Sequence, residues 1–139
     1  MKIILKLSET NEIEQVQNFF WEYIKEWNSW IVSNEFLCPF WIKWAIKRKQ
    51  IIILKYENNI LGALRFYHRK TDNIVSVYQF ALYESITWKW LIKKMLEKTW
   101  YKSFETTCFL NSGFNNYYMK TGWKLVKKDN IYNYWLMNL

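Results

Sequence analysis

At 139 residues, half of them hydrophobic and a fifth aromatic, the chain is too apolar for disorder. It is long enough to bury about two-thirds of its unfolded surface as one domain spanning 1–139. No apolar run reaches the ~18 residues of a membrane span, and the opening "MKIILKLSETNE" has too short an apolar core for a signal peptide, so a cytoplasmic protein away from membranes is expected. A net charge of +8 favours anionic partners: nucleic acid, a phosphorylated cofactor or an acidic surface.

The elements follow in chain order. "KIILKL" reads as a strand. Thr10 or Asn11 then offers an N-cap, with Glu14 three beyond Asn11, and Ile13, Val16, Phe20, Tyr23 or Ile24, and Trp27 make a helical stripe. Pro39 suits the first turn of a second helix, continued by Trp41, Trp44, Ala45 and Arg48. "QIIILKYE" is β-branched and strand-like. Asn58-Asn59 reads as a tight turn into "ILGALRFYH", and "KTDN" as another turn into "IVSVYQFALY". "SITWKWLIKKMLEKTW" is amphipathic, capped by Ser85 or Thr87. "SFETTCFLN" is a strand and "FNNYYMKT" a short helix stopped by Gly122. "WKLVK" and "IYNYWLMN" close the chain as a hairpin across Lys128-Asp129-Asn130.

Three hairpin strands followed by β-α-β describe a mixed parallel and antiparallel sheet. The helix over 85–100 makes its flanking strands parallel neighbours. Cys38 and Cys108 lack metal-ligand spacing and read as thiols in a reducing compartment. With His68 the only histidine, no metal site is expected.

The stretch "NSGFNNYYMKTGW" carries a resemblance. An Asn at the end of the fifth strand, then a short helix, then Tyr117-Tyr118-Met119-Lys120-Thr121-Gly122-Trp123, is similar to the GNAT N-acetyltransferase superfamily, as is the whole element order. Gly62 early in the third strand fits as well. The resemblance implies an α+β fold, a central mixed sheet of seven strands flanked by four helices. It implies acetyl-CoA as co-substrate and an amine as acceptor. It implies that the pantetheine amides pair with the backbone of Phe80, Ala81 and Leu82, and that Asn111 belongs to the cofactor site. Matched residue by residue, it puts on Tyr118 the role of donating a proton to the departing thiolate, since a phenol is protonated at neutral pH. Tyr117 is then the core-facing aromatic partner. The alternative is that both rings only pack.

One departure stands out. The superfamily's Gln/Arg-x-x-Gly-x-Gly/Ala loop, whose amides cradle the pyrophosphate at a helix N-terminus, is replaced here by "LYESITWKW". Ser85, Ile86 and Thr87 are the cofactor-binding residues if the cradle survives without glycine. Glu84, which closes the fourth strand, is expected as general base, with His68 the other candidate. Gln79 and Trp30 are expected on the substrate side, the latter within "WNSWIVSNEFLCPFWIKWAIKRK", whose mix of aromatic and basic residues also suits bases and phosphates. Three functions stay open: an N-acyltransferase acting on an amine; a repurposed fold with an altered donor site that acts on or binds nucleic acid, as in phage-type DNA modification; and a non-catalytic binding module.

Overall fold

A computed structural model describes residues 3–23, 39–83 and 91–139. Trp30, Cys38, Glu84, Ser85, Ile86 and Thr87 lie outside them, and so do the expected caps of the third helix. The described strands are β1 (Ile3–Leu7), β2 (Ile51–Tyr56), β3 (Asn59–Arg69), β4 (Ile74–Leu82), β5 (Ser103–Phe109), β6 (Lys124–Lys128) and β7 (Tyr132–Asn138). The described helices are α1 (Ile13–Tyr23), α2 (Pro39–Lys47), α3 (Leu91–Glu97) and α4 (Phe114–Lys120).

The strands form one seven-stranded sheet in the order β1-β2-β3-β4-β5-β7-β6. Every neighbouring pair is antiparallel except β4 and β5. The mixed sheet with four helices is therefore as expected. The edge strand β6 reads KLVKK and is exposed along its length; its lysines resist pairing with another chain. β2, second from the edge beneath both helix layers, is buried on both faces, which is why it reads as an unbroken IIIL run.

Two cores sandwich the sheet. On one face, Leu91, Ile92, Met95 and Leu96 of α3 and Tyr118 of α4 pack on Leu64, Phe66, Val75, Phe104 and Trp135. On the other, Val16, Phe19 and Phe20 of α1 and Ile42, Ala45 and Ile46 of α2 cover Ile51, Ile53, Ala63 and Ala81. Each fully buried side chain of this size contributes roughly 1.5–3 kcal/mol.

Two local readings are corrected. The first helix opens with a 3-10 turn over Thr10–Glu12, capped by Glu9 rather than by Thr10 or Asn11. The Glu9 N–H donates to the Glu12 carboxylate at 2.8 Å, and Glu12 is held in place by Lys55 at 2.8 Å and Lys6 at 3.2 Å. The β2–β3 turn sits on Glu57 and Asn58, with Glu57 at φ 55°, and Asn59 already belongs to β3. At the end of α4, Gly122 does take a left-handed backbone, φ 95°, as a helix stop requires.

Candidate functional site

The site grows from the one parallel junction. β4 and β5 pair only at Val75↔Phe104 and Ser76↔Glu105. Beyond that the strands part, and no further β4–β5 register pair forms among the described residues. A bulge accompanies the split. Arg65 pairs with Gln79 and Phe66 with Val77, leaving Tyr78 as the extra residue. The bulge changes which side chains face which core. Val75, Val77 and then Phe80 face α3 and α4, while Gln79 and Ala81 turn to the α1 and α2 side. Phe80 packs edge-on against Phe114 of α4, ring centroids 5.1 Å apart, and Leu82 is half-buried. The expected trio Phe80, Ala81 and Leu82 thus lies on β4 beyond its last pair with β5.

At the floor of the wedge, the Thr106 hydroxyl of β5 donates across the gap to the Val77 carbonyl of β4 at 3.5 Å. A cavity of about 220 Å3 opens there, lined by Ser76, Tyr78, Glu105, Thr106, Tyr132 and Tyr134 among others. Along β5 the buried residues are Phe104, Thr106 and Cys108, so Glu105 and Thr107 face the opposite side, away from α4.

Tyr118 reaches this floor from α4. Its ring is 3% exposed and packs against Trp123 at 5.3 Å and Trp135 at 6.0 Å. Its phenol lies near the Thr106 side chain. Burial pushes the Tyr118 phenol well above its ordinary value, which the nearby Thr106 hydroxyl only partly opposes. Tyr117 packs partly buried against the same core, on Phe114 with ring centroids 6.4 Å apart, and its hydroxyl is buried without a hydrogen-bond partner. Successive residues on a helix point about 100° apart, and the phase of α4 is set by the tryptophans under Tyr118. Burial raises the Tyr117 phenol as well, countered in part by the Ile92 backbone.

The asparagine that holds α4 in place is Asn115. Asn111 is exposed in the turn after β5, while the Asn115 carboxamide joins three segments. Its Nδ2 donates to the carbonyls of Phe109 at 2.8 Å, Ser112 at 3.0 Å and Leu110 at 3.1 Å. Its Oδ1 accepts from Asn133 Nδ2 at 3.0 Å, Trp135 Nε1 at 3.0 Å and the Cys108 thiol at 2.9 Å. Only this orientation of the amide places donors against carbonyls and the acceptor against donors. Asn115 therefore ties the first turn of α4 to β5 and β7, and fixes the helix that carries Tyr118.

On the α1 and α2 side, Gln79 is buried at 1% exposure beside Arg65 at 7%. Arg65 Nη1 donates to Gln79 Oε1 at 3.5 Å, its Nε has no hydrogen-bond partner, and its guanidinium lies 5.7 Å from the Tyr78 ring centre. Burial pulls the Arg65 guanidinium below its ordinary value. Glu105, at the last β4–β5 pair, is a carboxylate lining the cavity on the face away from α4 that the reading of the strand missed. It pairs with Arg69 through Nη1 at 3.1 Å and Nη2 at 3.5 Å. A glutamate in mid-strand, within "SFETTCF", was the available signal. His68 is not near the wedge. It sits at the opposite end of the sheet, stacked on Tyr101 with ring centroids 4.4 Å apart and 2.6 Å from the Asn73 side chain, because β3 runs past the paired ends of β4 and β5. The structure thus brings Tyr118, Phe80 and the β4 edge together and leaves His68 out.

Among the described residues no group of His, Cys, Asp or Glu side chains could hold a metal ion, and no helix is long and apolar enough to cross a membrane. No family model matches the sequence, and no curated protein matches it. Solved structures do. The PaiA N-acetyltransferase of Thermoplasma acidophilum, in complex with coenzyme A, aligns over 100% of both chains with a TM-score of 0.76 and 13% identity. A GNAT-family acetyltransferase of Listeria monocytogenes aligns over 99% of this chain and 95% of its own, with a TM-score of 0.76 and 12% identity. A Drosophila melanogaster polyamine N-acetyltransferase that forms N-acetylagmatine aligns over 99% of this chain and 100% of its own, with a TM-score of 0.70 and 8% identity. Identities this low carry the architecture: the chain has the GNAT acetyltransferase fold.

Proposed function

We propose that the chain transfers an acetyl group from acetyl-CoA to an amine, with Tyr118 as the proton donor to the departing thiolate. The observation that carries this reading is the buried Tyr118 side chain, packed on Trp123 and Trp135 beside the Thr106–Val77 bridge where β4 and β5 part. The wedge where β4 and β5 part suits an extended chain of amides such as the pantetheine arm, which is proposed to run along Phe80, Ala81 and Leu82. Acetyl-CoA supplies the acyl group as an activated thioester. Ser85, Ile86 and Thr87 are proposed to meet its phosphates, with Asn111 close to the same site.

The chain's own groups then do the rest. Tyr118 stays protonated at every working pH because burial disfavours the phenolate. It can therefore donate a hydrogen bond as negative charge develops on sulfur, in a dry setting where such a bond is strong. An amine must be neutral to attack, so its ammonium form has to lose a proton. Glu84 is proposed as base, and Glu105, which lines the cavity under the wedge, as the carboxylate that holds the ammonium before attack. Trp30 and Gln79 are proposed on the acceptor side.

The test is steady-state transfer from acetyl-CoA to a panel of amines that begins with agmatine and polyamines, alongside calorimetric titration with acetyl-CoA. Tyr118→Phe is expected to lower kcat by about 100-fold or more while leaving acetyl-CoA affinity within about twofold. Unchanged turnover would remove Tyr118 from the chemistry. Absence of acetyl-CoA binding by the intact protein would refute the reading altogether.

A further inference from the structure

A cavity of about 560 Å3 lies away from the wedge, at the end of the sheet where β1 and β3 finish and β2 and β5 begin. Its described lining includes Arg48, Lys49, His68, Lys70 and Lys98, and no carboxylate. Beside His68, its aromatic lining is Phe66, Tyr67, Trp100 and Tyr101, of which Trp100 is 87% exposed and Tyr67 40%. Nothing in the wedge chemistry uses these groups.

Two of them stand where the backbone discourages them. Lys49 follows α2 with φ 59°, and Trp100 follows α3 with φ 66°. The N–H of Lys49 donates to the Ile46 carbonyl and that of Gln50 to the Ala45 carbonyl, at 3.0 and 2.8 Å, the bonding of a left-handed helix stop, where glycine is ordinary. A side chain at such a position is strained. Here both helix stops carry large side chains, and both side chains line the same cavity. Cations near a helix C-terminus are favoured by the dipole, which accounts for part of the charge at Arg48, Lys49 and Lys98. It does not account for Lys70 and His68, which come from the β3–β4 hairpin, or for an indole left in water.

Cations without acidic neighbours suit phosphate, and exposed flat rings suit a nucleobase. The volume is that of a small-ligand site. We infer that this cavity binds a nucleoside phosphate, its base against Trp100 or Tyr67 and its phosphate on Lys49, Lys70 and Lys98. The same chemistry is presented by a free nucleotide and by one unit of a single strand.

The experiment titrates the full chain with uridine monophosphate, with uridine, and with a fluorescent oligothymidylate, at low and high salt. Micromolar binding of the monophosphate but not of uridine would support a free nucleotide. Binding of the oligonucleotide alone, weakening steeply with salt, would support a strand unit. Trp100→Ala and the charge reversal Lys98→Glu, both at exposed positions, are expected to weaken the binding seen by about tenfold or more, with unfolding temperature unchanged. Acetyl-CoA is titrated in parallel because it also carries a nucleotide. Its affinity is expected to be unaltered by either variant. Loss of acetyl-CoA binding in Trp100→Ala would mean the cavity serves the donor and would overturn the separate site. So would no binding of any nucleotide at millimolar concentration, or nucleotide binding that neither variant disturbs. If the intact protein takes nucleotides but never acetyl-CoA, this inference stands and the acyltransferase reading falls.

Discussion

Asn115→Ala is the substitution that asks most of the fold. The side chain accepts from Trp135 Nε1 and Asn133 Nδ2, each at 3.0 Å, and both donor residues are buried at 5% and 9% exposure. Alanine leaves two donors without a partner. A stranded buried donor costs about 1–3 kcal/mol, and the Phe109, Leu110 and Ser112 carbonyls lose their bonds as well. The expected loss is about 3–5 kcal/mol, a third or more of the roughly 5–15 kcal/mol that such a domain has in total. Asn115→Asp keeps an acceptor for the two donors but turns a carboxylate oxygen toward three carbonyls, so it is expected to lose a comparable amount at neutral pH. Urea unfolding followed by tryptophan fluorescence gives both values from the shift in midpoint. Losses below about 1 kcal/mol in both variants would show that packing, and not this amide, sets the position of α4.

Arg65→Met removes a buried guanidinium that has no carboxylate partner among the described residues and an unpartnered Nε. It is expected to raise stability by about 1–2 kcal/mol, read as a higher Tm, whereas a lower Tm would mean that Arg65 is worth more as packing against Tyr78. For Glu12, burial alone would raise the carboxyl, but hydrogen bonds from Lys55, the Glu9 N–H and Lys6 outweigh it and hold it below the ordinary 4.5. A folded-state value below the unfolded one contributes stability above the unfolded value, and the contribution is lost as pH falls through the folded one. Glu12→Gln is therefore expected to cost roughly 1–3 kcal/mol at pH 7, and the gap to the unmodified protein should narrow steadily on acidification below about pH 5. A gap independent of pH would place the effect in packing instead.

The element order was legible because each strand is a β-branched or alternating run and each helix carries a stripe. "IIILKY" and "SFETTCF" cannot sit as helices without burying charge or exposing aliphatic groups. The side-chain placements at the site were less legible, for reasons that are local. Asn111, Asn115 and Asn116 all precede Tyr118, and it is the resemblance to the superfamily that points to Asn111. What selects Asn115 for the network is β7, which brings Asn133 and Trp135 against it from far along the chain. Arg65 looks solvent-facing in "LGALRFYH", yet the helices that cover its face are set by Val16, Phe20 and Ile42 elsewhere. The bulge at Tyr78 moves Gln79 beside it, and a bulge of this kind leaves no mark in the alternation of "IVSVYQFALY" strong enough to read.

The burial of Tyr118 bears on what kind of acid it can be. A free thiol titrates near 8.5 and a phenol near 10, and burial raises the phenol further. Complete proton transfer from Tyr118 to a thiolate is therefore uphill, and more so in this wedge than in water. A hydrogen bond that strengthens as charge gathers on sulfur has no such penalty, and the low polarity around Trp123 and Trp135 strengthens it. Thr106, close to the Tyr118 phenol, donates to the Val77 carbonyl across the gap at 3.5 Å, so its hydroxyl bridges β4 and β5. Under the proposed reaction a thioester entering the wedge would compete with that bridge, which couples its arrival to the parting of the two strands beside the proposed acid.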